Sequence, residues 1–186
     1  MTLYCATSSP GKLREFRATA GIEWQLVPLA GVEPSRETGR TFEENAVEKA
    51  LHYSRHAPGL LFAEDSGLEV DALGGAPGVR SSRFAGEGAT GEDNNRLLIE
   101  RLRGVANRAA RFVCVIALAE PGRPIRTFRG EVAGVIVDEP RGAGGFGYDP
   151  HFFSPPLKCT FAELSPERKL EVSHRGRALA AMLKFL

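Results

Sequence analysis

The amino-acid sequence predicts a single α/β domain, with an elongated mixed β-sheet flanked by helices. Short apolar segments alternate with amphipathic helices in the N-terminal half, and two long β-branched segments, residues 111–119 and 125–137, follow each other across Pro121-Gly122. No repeat, low-complexity tract or linker divides the 186 residues, a length that suits one full core or one core with a small lobe. We therefore expect one domain over residues 1–186, drawn out into two lobes.

Local signals place each element in order. The expected short strands of the N-terminal half are residues 3–6, 24–29, 60–63 and 68–73. A helix is expected at residues 12–20, after a polar turn. Two further helices begin at capping boxes, Thr41 with Glu44 and Thr90 with Asp93, and the first of them runs to about residue 56.

The C-terminal half is expected to hold the long hairpin and one final helix. Residues 111–119 and 125–137 are typical of an antiparallel pair beside the N-terminal strands. The final helix begins at Ser165-Pro166, where Ser is the cap and Pro takes the first helical position. Its C-terminal half carries an apolar stripe made of Leu179, Met182, Leu183 and Leu186.

Composition excludes several classes of protein. The formal net charge is +1, which gives no general attraction to nucleic acid. No apolar run approaches the ~20 residues that span a bilayer, and the first residues lack a signal-peptide pattern. Cys5, Cys114 and Cys159 form no zinc pattern and suit reduced thiols. We expect a cytoplasmic protein with neither a membrane nor a nucleic acid as partner.

The segment from Gly142 to Phe153 is the strongest functional signal. Four glycines lie within residues 142–147, and Phe146 stands among them where no periodicity requires an aromatic. An exposed aromatic on such a loop suits stacking against a nucleobase. The alternative is a tight turn whose Phe146 folds back into the core. Three downstream donors favour a nucleotide pocket: Lys169, His174 and Arg175. The alternatives are a plain surface lysine at position 169 and a half-buried packing histidine at position 174.

A second signal is the polar turn between the first strand and the first helix. It consists of Thr7, Ser8, Ser9, Pro10, Gly11 and Lys12. Free N–H groups and the helix dipole favour an anion there, and Lys12 adds positive charge. The pattern is not a Walker A loop, and an ordinary strand-to-helix turn is the alternative. Lys49, on the helix that the Thr41 box opens, is either a further phosphate ligand or a solvated lysine.

The third signal is acidic. Glu64 and Asp65 end the strand 60–63 and precede Ser66, with Glu37 upstream. Carboxylates beside a buried strand are costly unless they are paired or bind a cation, and Mg²⁺ prefers such oxygen ligands. The alternative is a solvated polar turn. Together, the anion turn, the acidic cluster and the aromatic loop favour a nucleoside polyphosphate with Mg²⁺.

The sequence resembles the inosine/xanthosine triphosphate pyrophosphatase family, the Ham1-like non-canonical purine nucleotide pyrophosphatases. The matching segments are residues 6–16, 37–50, 64–78, 82–86, 145–150, 160–164 and 173–178. The resemblance implies a two-lobed fold with the active-site cleft between the lobes. It also implies a homodimer that uses Mg²⁺ to hydrolyse ITP, dITP or XTP to the monophosphate and pyrophosphate.

The resemblance also implies roles for individual residues. It implies that residues 7–12 and Lys49 bind the phosphates and that Asp65 is the general base. The implied metal ligands are Glu37, Glu64 and Asp65. The implied contacts to the rest of the substrate are Ser66, Phe146, Gly147, Tyr148 and Asp149, and the residues that recognise the base are Lys169, His174 and Arg175. The chain departs from the usual family pattern at Ser9, where Asn is common, and at Glu64, where many bacterial members have Asp.

Two other functions compete with this interpretation. A Maf-like pyrophosphatase of modified pyrimidine nucleotides has a related fold, but the aromatic glycine loop and the Ser173-His174-Arg175 segment argue against it. A nucleotide-binding regulator without turnover is disfavoured because Asp65 and its acidic neighbours are retained.

Overall fold

A seven-stranded sheet organises the chain, and the computed structural model describes residues 1–7, 9–19 and 24–186. The strands are Thr2–Ala6 (β1), Gln25–Pro28 (β2), Leu61–Val70 (β3), Ala109–Glu120 (β4), Arg123–Ile136 (β5), Phe152–Ser154 (β6) and Cys159–Thr160 (β7). The helices are Pro10–Thr19 (α1), Phe42–Ser54 (α2), Gly91–Arg101 (α3), Pro166–Val172 (α4) and His174–Phe185 (α5). The predicted end of the first helix, residue 20, lies outside the described residues.

The strand order is β2-β1-β3-β4-β5-β6-β7. β1 pairs in parallel with both β2 and β3, whereas all the later pairs are antiparallel. The mixed sheet is therefore confirmed, with the predicted hairpin as β4 and β5. The short strands β6 and β7 were not predicted, because so few residues carry no recognisable periodicity.

Helices cover both faces of the sheet and divide the core into three clusters. α1 and α5 pack on one face through side chains such as Phe16 and Leu179, and α2 packs on the other through Phe42 and Ala46. A third cluster at the far end of the long strands includes Leu98 of α3 and the aromatic residues near β6. β3, β4 and β5 run from the first two clusters to the third, which produces the two expected lobes.

Both predicted capping boxes are present, at Thr41 with Glu44 and at Thr90 with Asp93. α1 begins at Pro10, two residues earlier than expected. The hydroxyl of Ser9 accepts a hydrogen bond from the N–H of Lys12 at 3.4 Å, and its carbonyl accepts one from Leu13 at 3.0 Å. Ser9 therefore caps this helix and leaves Pro10 in the first turn, where the missing N–H costs nothing.

The prediction that a strand ends before Glu64 is wrong. β3 continues through residues 64–67 to Val70, because each of these residues pairs with β4, from Glu64 opposite Ile116 to Gly67 opposite Val113. The polar segment looked like a turn only because the partner strand lies some 50 residues away in the sequence. The two carboxylates therefore lie within the sheet.

The prediction of one final helix is also wrong. Ser173 has an extended backbone (φ −77°, ψ 162°) that ends α4 and begins α5. Its side chain accepts a hydrogen bond from the N–H of Gly176 at 3.2 Å, and its own N–H donates to the carbonyl of Lys169 at 2.8 Å. A Cβ at Gly176 would lie 1.8 Å from the carbonyl oxygen of Leu170, so only glycine permits this tight corner.

The three cysteines are free thiols, with Cys5 and Cys114 buried, as expected. Over residues 1–7, 9–19 and 24–186, no helix combines the length and the apolar character needed to cross a membrane.

Candidate active site

The candidate site lies where β1 ends beside β3. Ala6 is the last residue of β1 to pair with β3, opposite Ala63, so the edge of β3 is released from Glu64 onward. The turn after β1 and the N-terminus of α1 occupy this place, as ligand sites at the carboxyl ends of parallel strands usually do. The site therefore lies between the lobes, midway along β3.

A cavity of about 380 Å³ opens at this point. Its lining includes eight of the predicted residues: Ser9, Lys12, Ser66, Phe146, Gly147, Tyr148, Asp149 and Arg175. The opposite wall comes from the segment before α3 and from the start of α3, through residues such as Ser81, Ser82 and Asn94. The structure thus brings the anion turn and the aromatic loop to one cavity.

The turn after β1 lies at the N-terminus of α1, a position that suits anion binding. Of its predicted residues, Ser8 lies outside the described residues, and the N–H of Ser9 donates to the hydroxyl of Thr7 at 3.2 Å. Lys12 reaches across to Glu64, with 2.5 Å between Nζ and Oε1. The helix dipole and Lys12 make this end of the cavity electropositive.

Glu64 and Asp65 point to opposite faces of the sheet, because consecutive residues of a strand alternate. Glu64 pairs with Lys12 on the face covered by α1 and α5. Asp65 lies on the face of α2, where Asn45 donates to its Oδ2 at 3.0 Å and Lys49 lies 3.0 Å from its Oδ1.

The two carboxyl groups have different proton affinities. Burial raises the pKa of Glu64, but Lys12, Arg175 and Lys49 outweigh it and lower that pKa to about 2. Burial also raises the pKa of Asp65. Lys49 and Asn45 lower this pKa by less than burial raises it, so the pKa of Asp65 stays above the usual value. Asp65 therefore accepts a proton more readily than an ordinary aspartate, which suits a general base.

Lys49 joins Asp65 to Glu37. Its ammonium lies 2.7 Å from Oε1 of Glu37 and also donates to the backbone carbonyl of Glu64 at 3.2 Å. Arg83 approaches Glu37 from the other side at 3.5 Å. The alternative of a solvated lysine at position 49 is excluded, because this side chain links the acidic residues.

The acidic residues fit a magnesium ion in part. Among the described residues, no group of three His, Cys, Asp or Glu side chains is assembled to hold a metal. Glu37 and Asp65 nevertheless converge on one cation, the Lys49 ammonium, at 2.7 and 3.0 Å. Mg²⁺ commonly takes only one or two carboxylates and completes its shell with water and phosphate oxygens. These two residues therefore suit it, whereas Glu64 faces Lys12.

Phe146 lies in the cleft rather than in the core, since 38% of the residue is exposed. Its ring lies near two cations, 4.6 Å from Nζ of Lys169 and 4.9 Å from the guanidinium carbon of Arg175, measured to the ring centroid. A Cβ at Gly11 would lie 3.2 Å from the ring, so the anion turn and the aromatic loop are in contact.

The rest of the aromatic loop is anchored below the cleft. Asp149 is buried and accepts hydrogen bonds from the N–H of Phe146 at 2.7 Å and from Lys169 at 2.6 Å. The hydroxyl of Tyr148 donates to the carbonyl of Ser81 at 2.7 Å, across the cavity. Asp149 and Tyr148 therefore hold the loop in place, while Gly147 lines the cavity.

Lys169 and Arg175 converge on Glu15 of α1, which sequence reasoning missed. The Glu15 carboxylate lies 2.8 Å from Lys169 and 3.2 Å from Arg175. Arg175 also donates to the hydroxyl of Ser66 at 3.0 Å. The position of Glu15, three residues after Lys12 on the same helix, was the available signal, since such residues share a face.

His174 lies behind the cavity rather than in it. Its ring is buried and stacks on Phe112, with 4.8 Å between the centroids and 13° between the planes. Burial lowers the pKa of His174 well below the usual value, and the positive charge of Arg175 lowers it further; both favour the neutral ring. Phe112, which was also missed, lines the cavity in front of it.

Comparison with known proteins shows the family of this chain. A model of the Ham1 family matches residues 3–185. The chain belongs to the Ham1 family. A Ham1 relative from Acidobacterium capsulatum, named dITP/XTP pyrophosphatase, is 50% identical over 100% of this chain and 98% of its own. Another of that name from Thermus thermophilus is 47% identical over 99% of this chain and 91% of its own.

Solved Ham1 structures have the same fold. The Ham1 protein of Staphylococcus aureus superimposes with a TM-score of 0.89 at 38% identity, over 100% of this chain and 97% of that chain. A HAM1 protein from Coxiella burnetii gives 0.90 at 39% identity, over 100% and 98%. The two-lobed, mixed-sheet architecture is therefore that of the family.

Proposed function

We propose that this Ham1-family protein hydrolyses non-canonical purine nucleoside triphosphates, namely ITP, dITP and XTP, to the monophosphate and pyrophosphate. One arrangement carries the proposal: the cavity joins an electropositive turn to an aromatic ring that lies near two cations, and Asp65, a proton-accepting carboxylate, directly precedes Ser66 of the cavity lining on β3. The names of the similar relatives support it. The role is the removal of deaminated purine nucleotides before polymerases use them.

The reaction consumes one water and breaks the bond between the α-phosphorus and the bridging oxygen. Asp65 orients the water and takes its proton, which its raised pKa favours. The turn of residues 7–12 binds the phosphates through its N–H groups and Lys12. Lys49, whose charge the surrounding carboxylates preserve, stabilises the departing pyrophosphate. Rate acceleration comes mainly from positioning and electrostatics.

Mg²⁺ is the proposed metal, and it would supply charge neutralisation and orientation of the phosphates when bound. Glu37 and Asp65 are the residues that would hold it, because they already face one cation. Glu64 is not proposed as a direct metal ligand, because it is paired with Lys12; it contributes only negative charge to the site.

The base is proposed to stack on Phe146, within reach of Lys169 and Arg175. These two side chains are donors only, so they favour a base that presents an acceptor. Ser66 and Asp149 fix the two cations, and His174 supports the cavity through Phe112.

Release of pyrophosphate from dITP in the presence of Mg²⁺ tests the function. We expect turnover with dITP, ITP and XTP. Turnover confined to modified pyrimidine nucleotides would instead favour a Maf-like enzyme. Tight binding of dITP with no pyrophosphate release would identify a nucleotide-binding regulator.

Homodimer formation, cytoplasmic location and the absence of a nucleic-acid partner stay predictions from the family resemblance and the composition. Light scattering coupled to gel filtration tests the dimer.

Neutralising the acidic residues should affect the metal requirement unequally. Glu37→Gln is expected to raise the Mg²⁺ concentration for half-maximal activity more than Glu64→Gln does, because Glu37 faces the shared cation and Glu64 faces Lys12. A Mg²⁺ titration of both variants with saturating dITP measures this. An unchanged titration curve in both variants would contradict the metal assignment.

Removing the aromatic ring should weaken substrate binding. Phe146→Ala is expected to cost about 1–3 kcal/mol of nucleotide binding, the usual worth of base stacking. Since Phe146 is an exposed residue, the Tm should change little. Calorimetric titration with ITP measures the loss, and a collapsed Tm with unchanged affinity would make Phe146 a structural residue.

A further inference from the structure

Asn45 is a fully buried amide on α2 that no part of the reaction described above uses. Its Nδ2 donates to Oδ2 of Asp65 at 3.0 Å. Its Oδ1 accepts the backbone N–H of Gly39 at 2.8 Å. One side chain therefore contacts both the proposed base and the segment that carries Glu37.

The Gly39 contact fixes which way the amide points. Only an oxygen can accept the Gly39 N–H, so the NH₂ group of Asn45 must face Asp65. That donor occupies one carboxylate oxygen and leaves the other, Oδ1, beside Lys49. The carboxylate is thus held in one rotamer.

Neighbouring residues of α2 hold the same segment. Glu48 accepts from the N–H of Thr38 at 3.1 Å and from its hydroxyl at 2.9 Å, and Lys49 pairs with Glu37. Asn45, Glu48 and Lys49 are spaced i, i+3 and i+4, so they share one helix face. Each of residues 37, 38 and 39 is therefore bonded to a side chain of α2.

The fit at Gly39 is too close for a side chain. A Cβ there would lie 2.7 Å from Oδ1 of Asn45 and 2.9 Å from its backbone nitrogen. The segment that carries Glu37 therefore packs directly against the start of α2 at Gly39.

We propose that Asn45 is a positioning residue that keeps Asp65 and the Glu37 segment in register with each other. This inference rests on the proposed hydrolysis, because Asn45 acts through Asp65. It does not line the nucleotide cavity. Its loss therefore displaces the reacting groups without removing a contact to the base.

Three variants test the proposal with dITP as substrate. For Asn45→Ala we expect kcat to fall about 10²-fold, the scale of a small misplacement of catalytic groups, while KM changes less than about three-fold. Amide hydrogen exchange at residues 37–39 should be at least ~10-fold faster, since the Gly39 N–H loses its acceptor. Asn45→Asp keeps that acceptor, so exchange at Gly39 should stay slow while kcat still falls. Glu48→Ala should speed exchange at Thr38 and lower kcat.

Ser54→Ala is the matched control. Ser54 is a fully buried polar residue of the same helix, and its hydroxyl accepts the N–H of Gly122 at 3.1 Å in the β4–β5 connection. We expect a lower Tm with normal kcat. An Asn45→Ala protein with kcat within about three-fold of the unmodified protein and a Tm like that of Ser54→Ala would overturn the proposal.

The remaining outcomes are also decisive. If Asn45→Ala does not fold, unchanged kcat in both Asn45→Asp and Glu48→Ala overturns the inference. If the unmodified protein releases no pyrophosphate from dITP, the proposed function fails. The amide exchange rates of the unliganded variants then decide alone whether Asn45 holds residues 37–39. Unchanged exchange in Asn45→Ala would then show that Asn45 does not hold the segment.

Discussion

Asp65→Asn is expected to lower kcat at least ~100-fold, the low end for loss of a general base. The substitution preserves the shape of the side chain, but its single amide oxygen can accept from Lys49 or from Asn45, not from both, and the amide cannot take a proton from water. It also removes one of the two carboxylates that face the shared cation. Steady-state turnover of dITP at saturating Mg²⁺ measures the effect.

Folding should survive this change, because the partly buried Lys49 retains Glu37 as a charged partner at 2.7 Å. Thermal unfolding checks that the variant is native. Near-normal turnover in a folded Asp65→Asn protein would remove Asp65 from the mechanism and leave the buried carboxylate without a catalytic role.

Cleavage of ITP and XTP is expected to exceed that of ATP by a large factor, up to about 10⁴–10⁵ in kcat/KM, the limit set by mismatched polar groups. Hypoxanthine and xanthine carry an oxygen at C6, whereas adenine carries an amino group. Lys169 and Arg175 offer donors only, so an amino group at C6 would face a donor and gain no hydrogen bond there. Glu15 holds both cations at the cavity, at 2.8 and 3.2 Å.

Arg175→Ala should narrow this gap, mainly by slowing ITP cleavage, because the lost donor served the oxo base. Measured kcat/KM for ITP and ATP in both proteins gives the comparison. Comparable values for ATP and ITP in the unmodified protein would contradict the assignment of Arg175 and Lys169 to the base. Thermal unfolding of the variant controls for Glu15, which loses one of its two cations.

The sequence predicted the elements that depend on local signals. Both capping boxes, the hairpin and the strands around Leu3 and Trp24 follow from neighbouring residues, and the structure confirms them. Parts of the candidate site could also be predicted, because patterns of glycine, serine and lysine within a few residues are typical of anion binding. The family motifs then connected the separate signals.

What the sequence could not predict depends on distant partners. β3 continues through Glu64 because β4 pairs with it, and the buried charge of Glu64 is stabilised by Lys12, Arg175 and Lys49, which come from three other elements. The link from Asn45 to Asp65 joins a helix to a strand 20 residues away. In the sequence, Asn45 cannot be distinguished from any other polar residue of a helix; only the structure shows its partners.

The corner at Ser173 has a consequence for how the chain can vary. On one continuous helix, residues six apart would lie about 120° apart around the axis, at 3.6 residues per turn. Lys169 and Arg175 would then project in different directions, and one carboxylate could not hold both. The break between α4 and α5 turns the two cations toward Glu15. An insertion or deletion of one residue between positions 169 and 175 should therefore abolish base selectivity, whereas length changes at the end of α5 should be tolerated.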